Sequence, residues 1–495
     1  MNKLYIETKL GKHQIHKNIY GHFAEHLGRC IYDGIWVGED SSIPNYKGIR
    51  SDIVEALQRI KAPVIRWPGG CFADEYHWKD GVGPKASRKK IINTHWGSIV
   101  ENNYFGTHEF LTFCDLIGAK PYICGNVGSG TVQEMQEWVE YMNASEGAMA
   151  EWRKSNGRNE PWGIYYFGIG NENWGCGGKM RAEYYADVYK HFQNFIHEYG
   201  GNPLYKIACG PRNDDYHWTE VLMREAAPFM DGLSLHYYTR IFSCGDNKTE
   251  RRGSALNFGE DDYFTILKRA YFTEYLVRIH SKIMDRYDPE KRVALIVDEW
   301  GTWYDVEPNT NPDFLFQQNT IRDALVAGIS LNIFNNNCDR VKMANIAQTV
   351  NVLQSLVLTE NKKMLLTPTY HVFDLYKVHQ DSILLPSSLE TEEYSFGNES
   401  IPKISSSVSM DTNGLIHISL CNVDPVKEVD ISCILRDKDI HKVSGSILCG
   451  KFMNHHNSFD QPDALVPGKF EGFKITKEGI DVTLPPMSVL VLEIK

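Results

Sequence analysis

The sequence predicts an α/β protein, a (β/α)8 barrel of the TIM type followed by an antiparallel β-sandwich. Three observations carry this reading. Short apolar runs alternate with amphipathic helical stretches over roughly 360 residues, as a closed barrel with some long loops requires. Most of those runs end in polar or charged residues, as strands do when they build a site on the C-terminal face of such a barrel. Beyond residue 378 the helical period stops, and segments of period two with turn residues between them take its place.

In chain order, residues 3–10 read as a short strand that can join a sheet made later. The first barrel strand lies within 18–26. Behind a Ser51 or Asp52 cap, Ile53, Leu57 and Ile60 fall at helical spacing, so 51–61 is a helix. The second strand, 63–70, is apolar and broken by Pro-Gly-Gly. Helix 107–116 leads to strand three at 120–126, helix 131–145 to strand four at 165–170, helix 181–199 to strand five at 205–210, and helix 217–226 to strand six at 231–238. A long amphipathic segment, 261–287, precedes strand seven at 293–301, and helix 314–327 precedes strand eight at 328–335. Segments 415–421, 428–435, 469–476 and 488–494 alternate and build the sandwich. No low-complexity linker separates the two parts, which predicts rigid packing. An open doubly wound sheet is the structural alternative, but it does not normally need polar residues at every strand end.

The chain has 495 residues, 42% of them apolar and 23% charged, enough for a large core and a second domain. A net charge of -11 speaks against nucleic acid or an anionic membrane as partner and favours a neutral ligand. No run approaches a membrane span, and the N-terminus lacks an apolar stretch of signal-peptide length, so the expectation is a cytoplasmic protein as written. Eleven cysteines, an odd number without a C-x-x-C pair, read as buried thiols rather than a disulfide framework or a zinc site. The Gly-rich stretch 125–130 lacks the Gly-Lys-Ser/Thr ending of a phosphate loop, and Arg88-Lys-Lys reads as a solvated loop.

The polar residues at the strand ends are Glu25, Arg66, Asn126, Asn171, Glu172, His236, Tyr238, Glu299 and Asn335. Carboxylates, one arginine and several amides suit sugar chemistry. They suit a metal less well, because no His-x-His or Asp-x-Asp pair accompanies the glutamates; no metal and no other cofactor is expected. Singly, Glu172 or Glu299 reads as a surface or ion-paired glutamate. Jointly, at the ends of strands four and seven, they can face each other across the barrel mouth, and carboxyls about 5 Å apart are what a retaining glycosidase needs. One must then be protonated at neutral pH and the other ionised. Trp96, Trp174, Trp300 and Trp303 lie near the mouth and either offer flat faces to sugar rings or pack in the core. Trp174 and Trp300 each follow a glutamate within two residues, which makes them the better sugar platforms of the four.

Gly-Asn-Glu at 170–172, Asp-Glu-Trp at 298–300, Gly-His-Phe-Ala-Glu-His-Leu-Gly-Arg at 21–29, Arg-Trp-Pro-Gly-Gly at 66–70 and Asp-Gly-Val-Gly-Pro at 80–84 together resemble glycoside hydrolase family 51. The resemblance covers nearly the whole chain. It implies a catalytic barrel at 15–377 and a sandwich made of 378–495 plus residues 1–14. It also implies a retaining, exo-acting α-L-arabinofuranosidase that releases terminal arabinofuranose from arabinan, arabinoxylan or their oligosaccharides, without cofactors and as a homo-oligomer. By motif, Glu172 resembles the acid/base and Glu299 the nucleophile. Glu25, Asn171, Tyr238 and Gln348 resemble the residues that hold the arabinofuranose, with Arg66 and His236 as supports around the nucleophile. Gln348 lies beyond the eighth strand as read above, where spacing alone does not find it. Two positions depart from the family pattern. Cys71 stands where asparagine is common, and a thiol is a poorer hydrogen-bond partner. The loop at 173–178, which carries Trp174, differs as well and shapes where the rest of the substrate sits. An endo-β-1,4-glucanase or β-xylosidase on the same barrel is the nearest rival, and a non-catalytic carbohydrate-binding protein is the rival from another class.

Overall fold

Eight parallel strands close into a barrel in unbroken chain order in the computed structural model, which describes residues 2–241, 252–436 and 439–495. They are Gly21–Phe23, Val64–Trp67, Lys120–Gly125, Tyr166–Ile169, Tyr205–Ala208, Gly232–Thr239, Ala294–Thr302 and Val341–Ala347. The eighth closes the ring by pairing Asn345 with Gly21 and Ala347 with Phe23. Val64, Tyr122, Ile207, Ala294, Ile296 and Met343 fill the barrel interior, as parallel strands covered on both faces require.

The eighth strand corrects the sequence reading. Residues 328–335 lie inside the helix Ile321–Asn336, and the strand follows at Val341–Ala347. The helix begins at Thr320, whose hydroxyl caps Arg322 N while the Asp323 carboxylate accepts Thr320 N at 2.7 Å, a capping box. It is buried nearly all round because it is wedged between the barrel and the sandwich. Asn332 accepts a hydrogen bond from Ser419 Oγ and donates one to Ser405 Oγ, and a side chain at Gly328 would meet Cys421 Sγ at 2.6 Å. A helix buried on every side loses the amphipathic stripe that marks a helix in sequence, so its apolar run reads as a strand.

The sandwich consists of a five-stranded and a six-stranded sheet. The N-terminal strand Asn2–Glu7 sits inside the first, antiparallel to Ser387–Glu390 and parallel to Val429–Arg436. Its alternating burial sends Leu4 and Ile6 into a core shared with Ile418, Leu420, Ile431, Leu490 and Leu492. Among the described residues, no helix is long and apolar enough to cross a membrane. Arg88, expected in a solvated loop, is instead buried, with its guanidinium forked onto Glu109 at 3.0 Å through both terminal nitrogens.

Candidate active site

The seventh strand carries Asp298 and Glu299 next to each other, and both carboxylates point into the barrel mouth. A regular strand would send them to opposite faces. Here the register with the sixth strand slips between the pairs Ser234–Ile296 and His236–Glu299, so the seventh strand holds one extra residue, and a bulge of this kind re-aims a side chain. Glu299 Oε1 accepts from Arg66 Nη1 at 2.8 Å, and its Oε2 accepts from the Tyr238 hydroxyl at 2.9 Å. Burial pushes the Glu299 carboxyl above the usual carboxylate range, against the opposing pull of His236 and Arg66. Arg66 is itself buried. Its second terminal nitrogen donates to Asn171 Oδ1, its Nε lies 3.5 Å from Asp298 Oδ2, and its guanidinium rests over the Phe23 ring. A buried guanidinium is tolerable only with such partners.

Glu172 begins the loop after the fourth strand and has a left-handed backbone, with φ at 43°. The constraint that holds it there is local. Gly175 N and Gly177 N both donate to Glu172 O, and a Cβ at Gly177 would come within 2.1 Å of Asn171 O, so the turn admits only glycine at that point. His236 stands between the two glutamates. Its Nδ1 lies 2.9 Å from Glu172 Oε1 and 3.4 Å from Glu299 Oε2, while Nε2 is 3.1 Å from Asp298 Oδ1. Burial alone would lower the His236 pKa. Glu299, Asp298 and the bond to Glu172 override it and raise it to about 10, so the ring is an imidazolium at neutral pH. Oxygens of Glu172 and Glu299 lie within 4.8 Å of each other and of the ring. Glu172, His236 and Glu299 are thus close enough to hold a metal, which would have to displace the proton from the imidazole.

Glu25 forms the floor on the other side. Its Oε1 accepts from Gly70 N, Phe72 N and Trp96 Nε1 at 3.0, 3.2 and 3.0 Å, and its Oε2 accepts from Gln348 Nε2 at 3.0 Å. Burial, with repulsion from Glu299, outweighs these donors and raises its pKa to about 7. Gly70 separates the two acids: a Cβ there would lie 2.8 Å from Glu299 Oε1. Gln348 is the first residue after the true eighth strand, a strand-end position hidden by the misplaced strand. Trp174 lines a cavity of about 300 Å³ together with Glu172, Arg212, His236, Tyr238 and Trp303. Its indole nitrogen donates to Gly210 O, and Arg212 stacks on its ring at 5.2 Å. A larger groove of about 720 Å³, between the helix Pro368–Tyr376 and the sandwich, holds none of these residues.

Several expectations need correction. Cys71 is not a thiol: it is disulfide-bonded to Cys176, with Cα atoms 5.5 Å apart, and so has no S–H to donate. Of the other cysteines, the eight described are free thiols, all buried except the half-buried Cys449, and Cys244 lies outside the described residues. Trp300 is 2% exposed and packs on Phe334 and Phe373, so it is a core residue and not a sugar platform. Asn335 is in a helix and bonds Tyr20, away from the mouth. Asn126 ties its own loop together through Ser129, Gly130 and Tyr76 O. Sequence reasoning missed Asp298, whose inward turn depends on the bulge. It also missed Asp74, whose buried carboxylate accepts from Val127 N, Gly128 N and Asn171 N and thereby pins the loop that carries Glu172. No motif marks Asp74; only packing reveals it.

The site therefore gathers two close carboxylates, a fixed positive charge on either side of one of them, and a ring of amide, hydroxyl and carboxylate groups suited to sugar hydroxyls. Comparison with known proteins agrees. Residues 56–251 match the α-L-arabinofuranosidase 1 domain, and 298–488 match the α-L-arabinofuranosidase C-terminal domain. The chain is 50% identical to an intracellular exo-α-L-arabinofuranosidase of Bacteroides ovatus, over 99% of this chain and 95% of that one. The crystal structure of the GH51 arabinofuranosidase from Xanthomonas axonopodis pv. citri superposes with a TM-score of 0.97 at 47% identity, covering all of both chains. The α-L-arabinofuranosidase of Thermotoga maritima in complex with arabinose gives 0.87 at 31% identity, covering all of this chain and 99% of that one. With likeness of this extent along its whole length, the chain belongs to the α-L-arabinofuranosidases of glycoside hydrolase family 51.

Proposed function

We propose that the enzyme is a retaining, exo-acting α-L-arabinofuranosidase working by double displacement. The observation that carries the mechanism is the approach of Glu172 and Glu299 oxygens to within 4.8 Å, with a single imidazolium between them. That distance suits direct attack on a sugar and is short of the roughly 6.5 Å or more at which a second carboxylate activates an intervening water. Glu299 attacks the anomeric carbon while Glu172 gives its proton to the leaving oxygen. The glycosyl-enzyme is then opened by water, from which Glu172 takes the proton. Burial raises the pKa of the nucleophile, and His236 and Arg66 work against that rise and favour its ionised form. As oxocarbenium character develops, Glu25, Asn171, Tyr238 and Gln348 bind the sugar hydroxyls, where gain in the transition state raises turnover.

The substrates are arabinan, arabinoxylan and the oligosaccharides derived from them. The Bacteroides ovatus relative is named as intracellular; by that likeness the enzyme acts in the cytoplasm on oligosaccharides already taken up. Trp174 and Trp303, with Arg212 between the mouth and solvent, border the space for the leaving sugar. Hydrolysis of aryl glycosides bearing arabinofuranose, xylopyranose or glucopyranose tests the assignment. Arabinofuranoside should be turned over fastest; equal or faster hydrolysis of the xyloside would remove the substrate assignment.

A further inference from the structure

The disulfide between Cys71 and Cys176 lies against the side chain of Glu172. Cys176 Sγ is 3.6 Å and Cys71 Sγ 4.0 Å from the same oxygen, Glu172 Oε2. Bonded to each other, the sulfurs donate no hydrogen to that oxygen, so the contact has no function in hydrogen bonding. All three residues are half-buried, and their ligating atoms lie within 4.8 Å of one another.

Those spacings fit a soft divalent ion. A tetrahedral zinc centre with bonds of about 2.3 Å to sulfur and 2.0 Å to oxygen has S···S edges of about 3.8 Å and S···O edges of about 3.5 Å. The Cys176 separation of 3.6 Å already matches, and the Cys71 separation of 4.0 Å needs to close by about 0.5 Å. As long as the sulfurs are bonded to each other they are not thiolates and cannot hold the ion. We propose that reduction of Cys71–Cys176 creates a zinc-type metal site, Cys71, Cys176 and Glu172, in which the bound ion takes Glu172 out of catalysis.

The reducing step is a dithiol–disulfide exchange. The reductant, a vicinal dithiol, supplies two electrons and two protons and leaves as its own disulfide, and the S–S bond becomes two thiols. On binding, the ion displaces the thiol protons to solvent, since thiolate and not disulfide sulfur is the metal ligand. The sulfurs remain neighbours after reduction, because the loops that carry them have a second tie. Asp74, in the turn Cys71–Glu75, accepts Asn171 N at 3.0 Å and Asn173 Nδ2 at 3.5 Å from the Cys176 loop, and it also accepts Val127 N and Gly128 N. Three protein ligands leave a fourth position for water, a common arrangement for zinc.

The loss of turnover rests on Glu172 being the acid/base; binding of the ion does not, and the two are read separately. Binding is followed with Co2+, through the thiolate-to-cobalt charge-transfer absorption that reduced enzyme should show and oxidised enzyme lack. The difference between the two redox forms of the wild type removes any contribution from the other cysteines. It also needs no variant to fold; the Cys71→Ser/Cys176→Ser protein, reduced, should lack the band as well. Turnover is followed with Zn2+, each form measured against its own metal-free activity. At free Zn2+ of about ten times the dissociation constant, the reduced enzyme should lose about tenfold in kcat/KM and recover with a chelator, while the oxidised enzyme stays within about twofold. Equal zinc sensitivity of the two redox forms would place the ion on Glu172, His236 and Glu299 and overturn the proposal, as would the absence of a redox-dependent cobalt band. A band without loss of turnover would place the ion on the two sulfurs without Glu172 and overturn the proposed site, leaving the acid/base role of Glu172 to the azide rescue.

Discussion

Asp298 and Glu299 are sequence neighbours that face the two nitrogens of one imidazole, Asp298 at 3.1 Å from His236 Nε2 and Glu299 at 3.4 Å from Nδ1. Asp298 is held well inside the ionised range by Arg66 and His236 despite its burial, and Tyr122 donates to its other oxygen at 2.8 Å. Its contacts go to His236, Arg66 and Tyr122, and its part is to fix the position and the charge of His236. Replacing it with asparagine should lower kcat/KM about 10²-fold, the scale of a misplacement of the reacting groups by about 1 Å. The pH dependence of stability provides a second readout. The His236 pKa is raised from 6.5 to about 10 in the folded state, so its contribution is full below 6.5 and is lost as pH rises toward 10. Denaturant unfolding of Asp298→Asn should therefore show a smaller loss between neutral and alkaline pH than the wild type. An identical slope would deny Asp298 its hold on the ring.

The two glutamates can be told apart by rescue. Glu172→Ala should lose about 10² to 10⁴ in turnover on substrates with poor leaving groups, and much less on an activated aryl arabinofuranoside. Azide should restore it and yield a glycosyl azide of retained configuration. With Glu299→Ala, azide takes the place of the nucleophile itself, so the product should be inverted. The configuration of the two azides, read by nuclear magnetic resonance, assigns the roles; the same anomer from both variants would contradict them.

Acid sensitivity should reveal the environment of Glu299. A nucleophile must be ionised, so activity falls as pH drops through its pKa, and burial places that pKa above the usual carboxylate range. The acidic limb of kcat/KM should therefore sit above the ordinary glutamate value. The Tyr238 hydroxyl donates to Glu299 Oε2 and favours the ionised form. A hydrogen bond to a charged group contributes about 1.5 kcal/mol or more, so Tyr238→Phe should move the limb upward by about one pH unit. A limb that stays in place would mean that Tyr238 does not tune the nucleophile, whatever its effect on KM.

What was legible in the sequence follows from which signals are local. Glu172 and Glu299 stand out because a buried strand ending on a carboxylate is unusual wherever it occurs, and seven of the eight strands lie where their apolar runs put them. The eighth was displaced because Ile321–Asn336 is covered by both the barrel and the sandwich, which removes the polar face that gives a helix its period. That error also hid Gln348 as a strand-end residue, and only family likeness recovered it. Asp298 and the Cys71–Cys176 pair were illegible for another reason. One depends on a bulge and the other joins residues 105 apart in the chain, and neither leaves a mark in local spacing.

Trp300 provides the sharpest contrast between the two ways of reading an aromatic residue beside a catalytic glutamate. As a sugar platform, its loss would raise KM and leave stability nearly unchanged. In the structure it is buried against Phe334 of the helix Ile321–Asn336 and Phe373 of the helix Pro368–Tyr376, at ring distances of 5.4 and 6.3 Å. It therefore joins the seventh strand to the layer that supports the sandwich. Trp300→Ala should cost about 3 to 5 kcal/mol in unfolding free energy through the cavity it leaves, measured by denaturant titration. Trp300→Phe should retain most of that stability. Because Glu299 is its neighbour on the strand, kcat should fall with Trp300→Ala while KM changes little; a variant of wild-type stability with a raised KM would return Trp300 to the sugar site.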